Sequence, residues 1–167
     1  MTDSPKPAPS DDENSTQTRA RVLPNGLLKT LAKIHVRLNL LSRGHLANKM
    51  QGRDVCFVTM TGAISGRTLT KPLMYIPYGD GVLLVASLGG GPKNPIWYGN
   101  LVLQPNIEVR HRGHVMPLRA RLATDAEKPS LWPICDAAFP PYAEYRMKTS
   151  REIPIFVCER RASSIDS

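Results

Sequence analysis

Between Gly52 and Arg160 the apolar residues come in short runs, most of them cut off by a glycine turn, which confines this part of the chain to hairpins. Val55 to Met60 is one run and Pro72 to Tyr78 another. Tyr78-Gly79-Asp80-Gly81 supplies a turn, and Val82 to Ala86 runs back from it, which predicts a first hairpin. Ile107-Glu108-Val109-Arg110 alternates apolar with polar, turns near Arg112-Gly113 and returns through Val115, Leu118, Ala120 and Leu122 as a second hairpin. Ile153 to Cys158 is a last extended run. Between them, Thr124-Asp125-Ala126-Glu127 has the spacing of a capping box that opens a helix holding Leu131, Trp132 and Ile134, with Pro140-Pro141 ending it. Strands that are short, even in length and mostly antiparallel suit a closed barrel better than an open doubly wound sheet. The expected class is therefore mainly β (α+β), a six-stranded barrel with a few flanking helices.

The region before Gly52 follows a different pattern. Residues 1–20 are rich in Pro, Ser, Thr and Asp and bury too little to repay ordering, so a flexible tail is expected there, with a second short tail at 163–167. Over 21–50, Leu27, Leu31, Ile34, Leu38 and Leu41 form one apolar stripe while Lys29, Lys33 and Arg37 take another face. Such a basic amphipathic helix packs on its own domain or rests on an anionic membrane face. The net charge of +8 is concentrated here, for Asn14 to Arg53 holds no acidic residue. A barrel domain is expected over 51–162. Cys56, Cys135 and Cys158 are odd in number and lack CxxC spacing, as reduced, buried thiols of a cytoplasmic protein would be.

Several familiar motifs fail on spacing. Gly62 to Thr68 resembles a phosphate loop but is one residue short, with Arg67 where lysine belongs. His111 and His114 flank a turn with no third ligand suitably spaced, so no metal site is expected. No nucleic-acid recognition motif is legible despite the charge. What survives is Ser87 to Asn100, "SLGGGPKNPIWYGN". Its glycines leave amides uncovered, Asn94 is a good N-cap and Pro95 a good first helical residue, and the resulting helix 95–103 aims its positive end at the loop. With Lys93 alongside, an anion site is expected there, facing the second glycine turn at Thr61 to Thr68.

These segments, with "KPLMYIPYGDGVLLVAS" and the closing "IPIFVCER", resemble the deazaflavin (coenzyme F420)-dependent nitroreductase and quinone reductase family of small actinobacterial proteins. The resemblance implies a split β-barrel, monomeric or homodimeric, that reduces quinones or nitroaromatics with reduced F420; flavin mononucleotide ranks lower as cofactor. It implies a coenzyme held by Ala63, Ile64 and Ser65, by Val85, Ala86, Ser87 and Leu88, and by Ile96, Trp97, Tyr98, Gly99 and Asn100, to which Arg67, Leu69 and Lys93 are added as cofactor-binding candidates. Phe139, Tyr142 and Tyr145 match its substrate pocket, Tyr142 also touching the deazaflavin, and Ser87 and Tyr145 are expected to polarise the acceptor oxygen. The family usually carries Arg-Lys at Ala63-Ile64, Arg at Leu69 and Lys at Leu88, cations that grip the coenzyme's phosphate and glutamate tail. Arg67, Lys71 and Lys93 are the substitutes within reach in sequence. The apolar replacements also suit a redox-inactive relative that binds a fatty acid in the same barrel.

Overall fold

The computed structural model describes residues 49, 50 and 52–161. The tails expected at 1–20 and 163–167, and almost all of the basic helix expected over 21–50, lie outside the described residues. At the end of that range Lys49–Met50 is a strand, β1, paired antiparallel with Asp54 and Arg53.

Seven further strands follow: β2 (Arg53–Thr61), β3 (Thr68–Met74), β4 (Ile76–Tyr78), β5 (Gly81–Val85), β6 (Asn106–His111), β7 (His114–Leu122) and β8 (Ile155–Arg160). The helices are α1 (Ile96–Leu103), α2 (Lys128–Ala138) and α3 (Pro141–Lys148). All ladders are antiparallel, in the order β1-β2-β6-β7-β8-β5-β4 with β3 on β2. The fold is therefore mainly antiparallel sheet with a few helices, as the hairpin pattern predicts.

Two features of the expected barrel differ. The sheet has eight strands, and among the described residues no ladder joins β3 to β4, so it is not closed. One extra strand is β1; the other, and the open edge, originate in the run Pro72 to Tyr78, which serves two partners. Up to Met74 it pairs with β2, and from Ile76 it pairs with β5. Tyr75 makes the corner, its amide bonded to the Asp54 carbonyl at 3.0 Å and its ring stacked flat on His111 at 3.6 Å. A strand that turns a corner links the two edges covalently and curls the sheet without hydrogen-bonding them to each other.

The hairpins form where turn chemistry placed them. Gly79 leaves β4 with φ +53, and the β6–β7 turn has positive φ at both Arg112 and Gly113, the primed geometry that matches strand twist. Arg112 is the unusual member, and its guanidinium is tied to Asp54 at 2.7 Å.

Burial explains why β5 and β8 read as unbroken apolar runs. Val82, Leu84, Phe156 and Cys158 face an inner core with Cys56, Val58, Met60, Trp97 and Leu101. Leu83, Val85, Ile155 and Val157 face an outer core under α2 and α3, with Leu131, Cys135, Phe139 and Tyr142. Strands covered on both faces lose the alternation of a half-exposed sheet. Each fully buried side chain of this size contributes about 1.5–3 kcal/mol. Glu127 reaches back to the Thr124 amide at 2.8 Å, so the expected capping box is half realised ahead of α2. Pro140-Pro141 ends α2 but also opens α3, with Pro141 at its first position, a helix the sequence reading did not separate. Arg146 locks α3 onto α2 through both oxygens of Asp136, at 2.8 and 2.7 Å, while lying over Trp132.

Candidate functional site

The segments singled out in the sequence meet at one end of the sheet, where β2 ends, β3 begins, and β5 runs out into the glycine loop. After Thr61 the chain turns on itself, with the Gly62 amide bonded to the Arg67 carbonyl and the Gly66 amide to the Gly62 carbonyl, both at 2.8 Å. The Ala63 amide points out of this turn and donates to Oδ1 of Asn100 on α1 at 3.0 Å. Asn100 is buried, and its Nδ2 lies 3.9 Å from the Met60 sulfur. The two glycine-flanked elements are thus physically joined.

Beyond β5 the backbone is unusual. Ser87 is right-handed (φ −73, ψ −38), and Leu88, Gly89 and Gly90 all have positive φ, at 46, 65 and 78. Gly90 must lack a side chain twice over, since a Cβ there would also sit 2.9 Å from the Tyr145 carbonyl oxygen on α3. Leu88 tolerates the left-handed region at a cost and holds its side chain 55% exposed.

One side chain that sequence reasoning missed holds this loop. Arg151, between α3 and β8, donates from Nε to the Gly91 carbonyl at 2.9 Å and from Nη2 to the carbonyls of Ala86 and Ser87 at 3.0 and 2.8 Å. Its Nη1 reaches Oδ1 of Asn94 at 2.7 Å. No carboxylate pairs with it among the described residues. Because Asn94 serves Arg151, it is not the N-cap; α1 begins at Ile96 with Pro95 at the cap, one residue later than expected.

The other expected residues divide into three groups. Ile64, Ser65, Arg67, Leu88, Lys93 and Ile96 are exposed around the loop and turn, and Ala63, Leu69 and Gly99 are half-buried. Arg67, Lys71 and Lys93 have no acidic partner among the described residues, so their charges are free for a ligand. Val85, Ala86 and Ser87 are buried at the floor of the loop. Trp97 lies in the inner core against Phe156, ring centroids 5.9 Å apart, and Tyr98 meets the same ring edge-on at 5.6 Å. Phe139 and Tyr142 are buried in the outer core, 5.0 Å apart, where burial raises the Tyr142 hydroxyl above its usual range. They form packing more than pocket wall. Tyr145 alone of this trio is half-exposed, and it adjoins the glycine loop.

A cleft of about 430 Å³ opens on another part of the surface, lined by Asn106, Arg119, Arg121, Glu159, Arg160 and Arg161. It shares no residue with the expected site. All three cysteines are free and buried.

Comparison with known proteins agrees with the resemblance. The family model of F420H(2)-dependent quinone reductase matches residues 31–160. A curated F420H(2)-dependent quinone reductase of Mycobacterium tuberculosis (strain ATCC 25618 / H37Rv) is 31% identical over 139 residues, 78% of this chain and 91% of that protein. Among solved structures, an F420-H2 dependent reductase (FDR-A) is 40% identical with a TM-score of 0.60, covering 63% of this chain and 93% of its own. A second, described as a domain-swapped dimer, is 33% identical with a TM-score of 0.63, covering 80% and 99%.

Proposed function

The chain belongs to the F420H(2)-dependent quinone reductase family, with coenzyme F420 as cofactor, and on that premise we propose that it reduces a quinone at the cleft between the Thr61–Thr68 turn, the glycine loop and the start of α1. The observation that carries this reading is the Ala63–Asn100 hydrogen bond, which joins two of the family-matching segments around one space. The curled sheet is read as the split barrel of the family.

The residues present fit the coenzyme. The amides of Ser87 and Leu88 have no hydrogen-bond partner among the described residues, and Arg67, Lys71 and Lys93 offer unpaired charge to a phosphate. The reduced coenzyme, when bound, supplies the hydride. The protein's part is to orient and to exclude water. Ala86, buried in the inner core, gives the start of the loop an apolar floor. The Ser87 hydroxyl, buried and without a partner among the described residues, is placed to donate to the acceptor oxygen as charge develops there, with Tyr145 beside the loop as second donor.

A nitroaromatic acceptor would use the same donors. The alternative, a redox-inactive protein that holds an apolar ligand, is favoured by one observation: Ile64 and Leu88, where the family carries cations, are exposed, Ile64 fully. Steady-state oxidation of reduced F420 by a soluble quinone separates the readings. Turnover that saturates in both substrates is expected. Folded protein that neither binds nor oxidises the coenzyme would leave the apolar-ligand reading standing.

A further inference from the structure

Arg151 makes an arrangement that no motif announces. A guanidinium normally spends its donors on carboxylates, whereas here four hydrogen bonds go to Ala86 O, Ser87 O, Gly91 O and Asn94 Oδ1, residues 57 to 65 positions away. In a trans peptide the C=O and the following N–H point in opposite directions, and no cis bond occurs in the described chain. Holding the carbonyls of Ala86 and Ser87 therefore turns the amides of Ser87 and Leu88 to the other side, away from Arg151. Those two amides are among the donors left without partners. The right-handed then left-handed sequence at Ser87 and Leu88 is the backbone form in which successive N–H groups converge into an anion-binding concavity. The cation behind the peptides also polarises them, strengthening the N–H groups as donors.

We propose that Arg151 is the positioning residue of this site: by gripping the carbonyls of Ala86 and Ser87 it aims the Ser87 and Leu88 N–H groups at an oxygen of the bound coenzyme. The inference rests on the F420 reading of the same cleft. Arg151 touches no ligand itself. Its effect reaches the site through two peptide planes, and it holds Leu88 in a left-handed conformation that a leucine adopts only under constraint.

The test uses the full chain, F420, and the variants Arg151→Lys and Arg151→Ala. Amide NMR of the wild type should show the Ser87 and Leu88 resonances shifting on coenzyme addition. Arg151→Lys keeps the charge but cannot span four acceptors; its coenzyme dissociation constant should rise at least tenfold, and those two shifts should vanish. Free guanidinium at millimolar, non-denaturing concentration should restore part of the affinity of Arg151→Ala and none of that of wild type. A wild-type protein whose spectrum ignores the coenzyme altogether would overturn the F420 reading and this inference with it. Wild type that binds while the two amides stay still, or Arg151→Lys that binds equally well, would overturn the inference alone. Should Arg151→Ala not fold, the Lys variant and the wild-type spectrum still decide the matter.

Discussion

The amide of Ala63 and the side-chain oxygen of Asn100 lie 3.0 Å apart, although 37 residues separate them in the chain. The bond fixes the Thr61–Thr68 turn to α1 one helical turn beyond Ile96, so the turn and the helix cannot move independently. Removing it leaves a partly buried amide unsatisfied. Asn100→Ala should therefore cost about 1–3 kcal/mol of stability. It should also weaken coenzyme binding, because the turn loses its register against the helix. A denaturant melt and a coenzyme titration on the same variant check both; a melt unchanged from wild type would show that water replaces the bond.

Acid should weaken the α2 start. The Arg121 guanidinium, and then the Thr124 amide and hydroxyl, hold the Glu127 carboxyl down to about 2 from its ordinary 4.5. A depressed carboxyl contributes stability that is fully present above its unfolded pKa and lost as pH falls through the folded one. Wild type should thus lose stability between about pH 4.5 and 2 through this group, and Glu127→Gln should show a shallower pH slope in that window. Melting temperature against pH measures it.

The three thiols should be silent in the folded protein. Burial pushes Cys56 and Cys135 up to about 12, and Cys158 is raised as well, so almost no thiolate exists at neutral pH. A colourimetric thiol reagent should find none of them until denaturant is added, and then all three. Fast labelling of native protein would mean that one of the two cores opens readily.

Legibility in the sequence followed the range of the signal. The turns at Gly79-Asp80 and Arg112-Gly113 are set by adjacent residues, and both hairpins lie where these predict. Tyr75 was invisible as a corner because its constraint is His111, far along the chain. Pro140-Pro141 reads in sequence as a stop, although a proline that cannot continue one helix is well suited to begin the next. α1 is apolar almost all round, IWYGNLVL, so periodicity could not say that Trp97 faces the core while Ile96 lies 90% exposed. Arg151 carries no local signature at all, since each acceptor it fills across the loop is more than fifty residues away.

Vesicle binding addresses the basic segment before Gly52. If residues 27–41 rest on anionic lipid, sedimentation with phosphatidylglycerol vesicles should fall steeply with added salt and disappear on removal of residues 1–44. Retention of the truncated protein on vesicles would place the contact elsewhere.

Leu88 offers the sharpest trial of the coenzyme's placement. Its φ of +46 is equally strained for leucine and lysine, and its side chain is 55% exposed, so Leu88→Lys should leave stability within about 0.5 kcal/mol of wild type. What changes is charge at the mouth of the loop, beside the exposed Lys93. A new charge-assisted contact to phosphate is worth about 1–3 kcal/mol, so coenzyme affinity should tighten roughly ten- to a hundredfold. Lys93→Ala should weaken it by a similar factor. Neither residue is one of the proposed donors to the acceptor oxygen, so the quinone Michaelis constant should stay put in both variants. An unchanged affinity in Leu88→Lys, with Lys93→Ala altering only the quinone kinetics, would move the phosphate away from the glycine loop and leave its free amides to the acceptor.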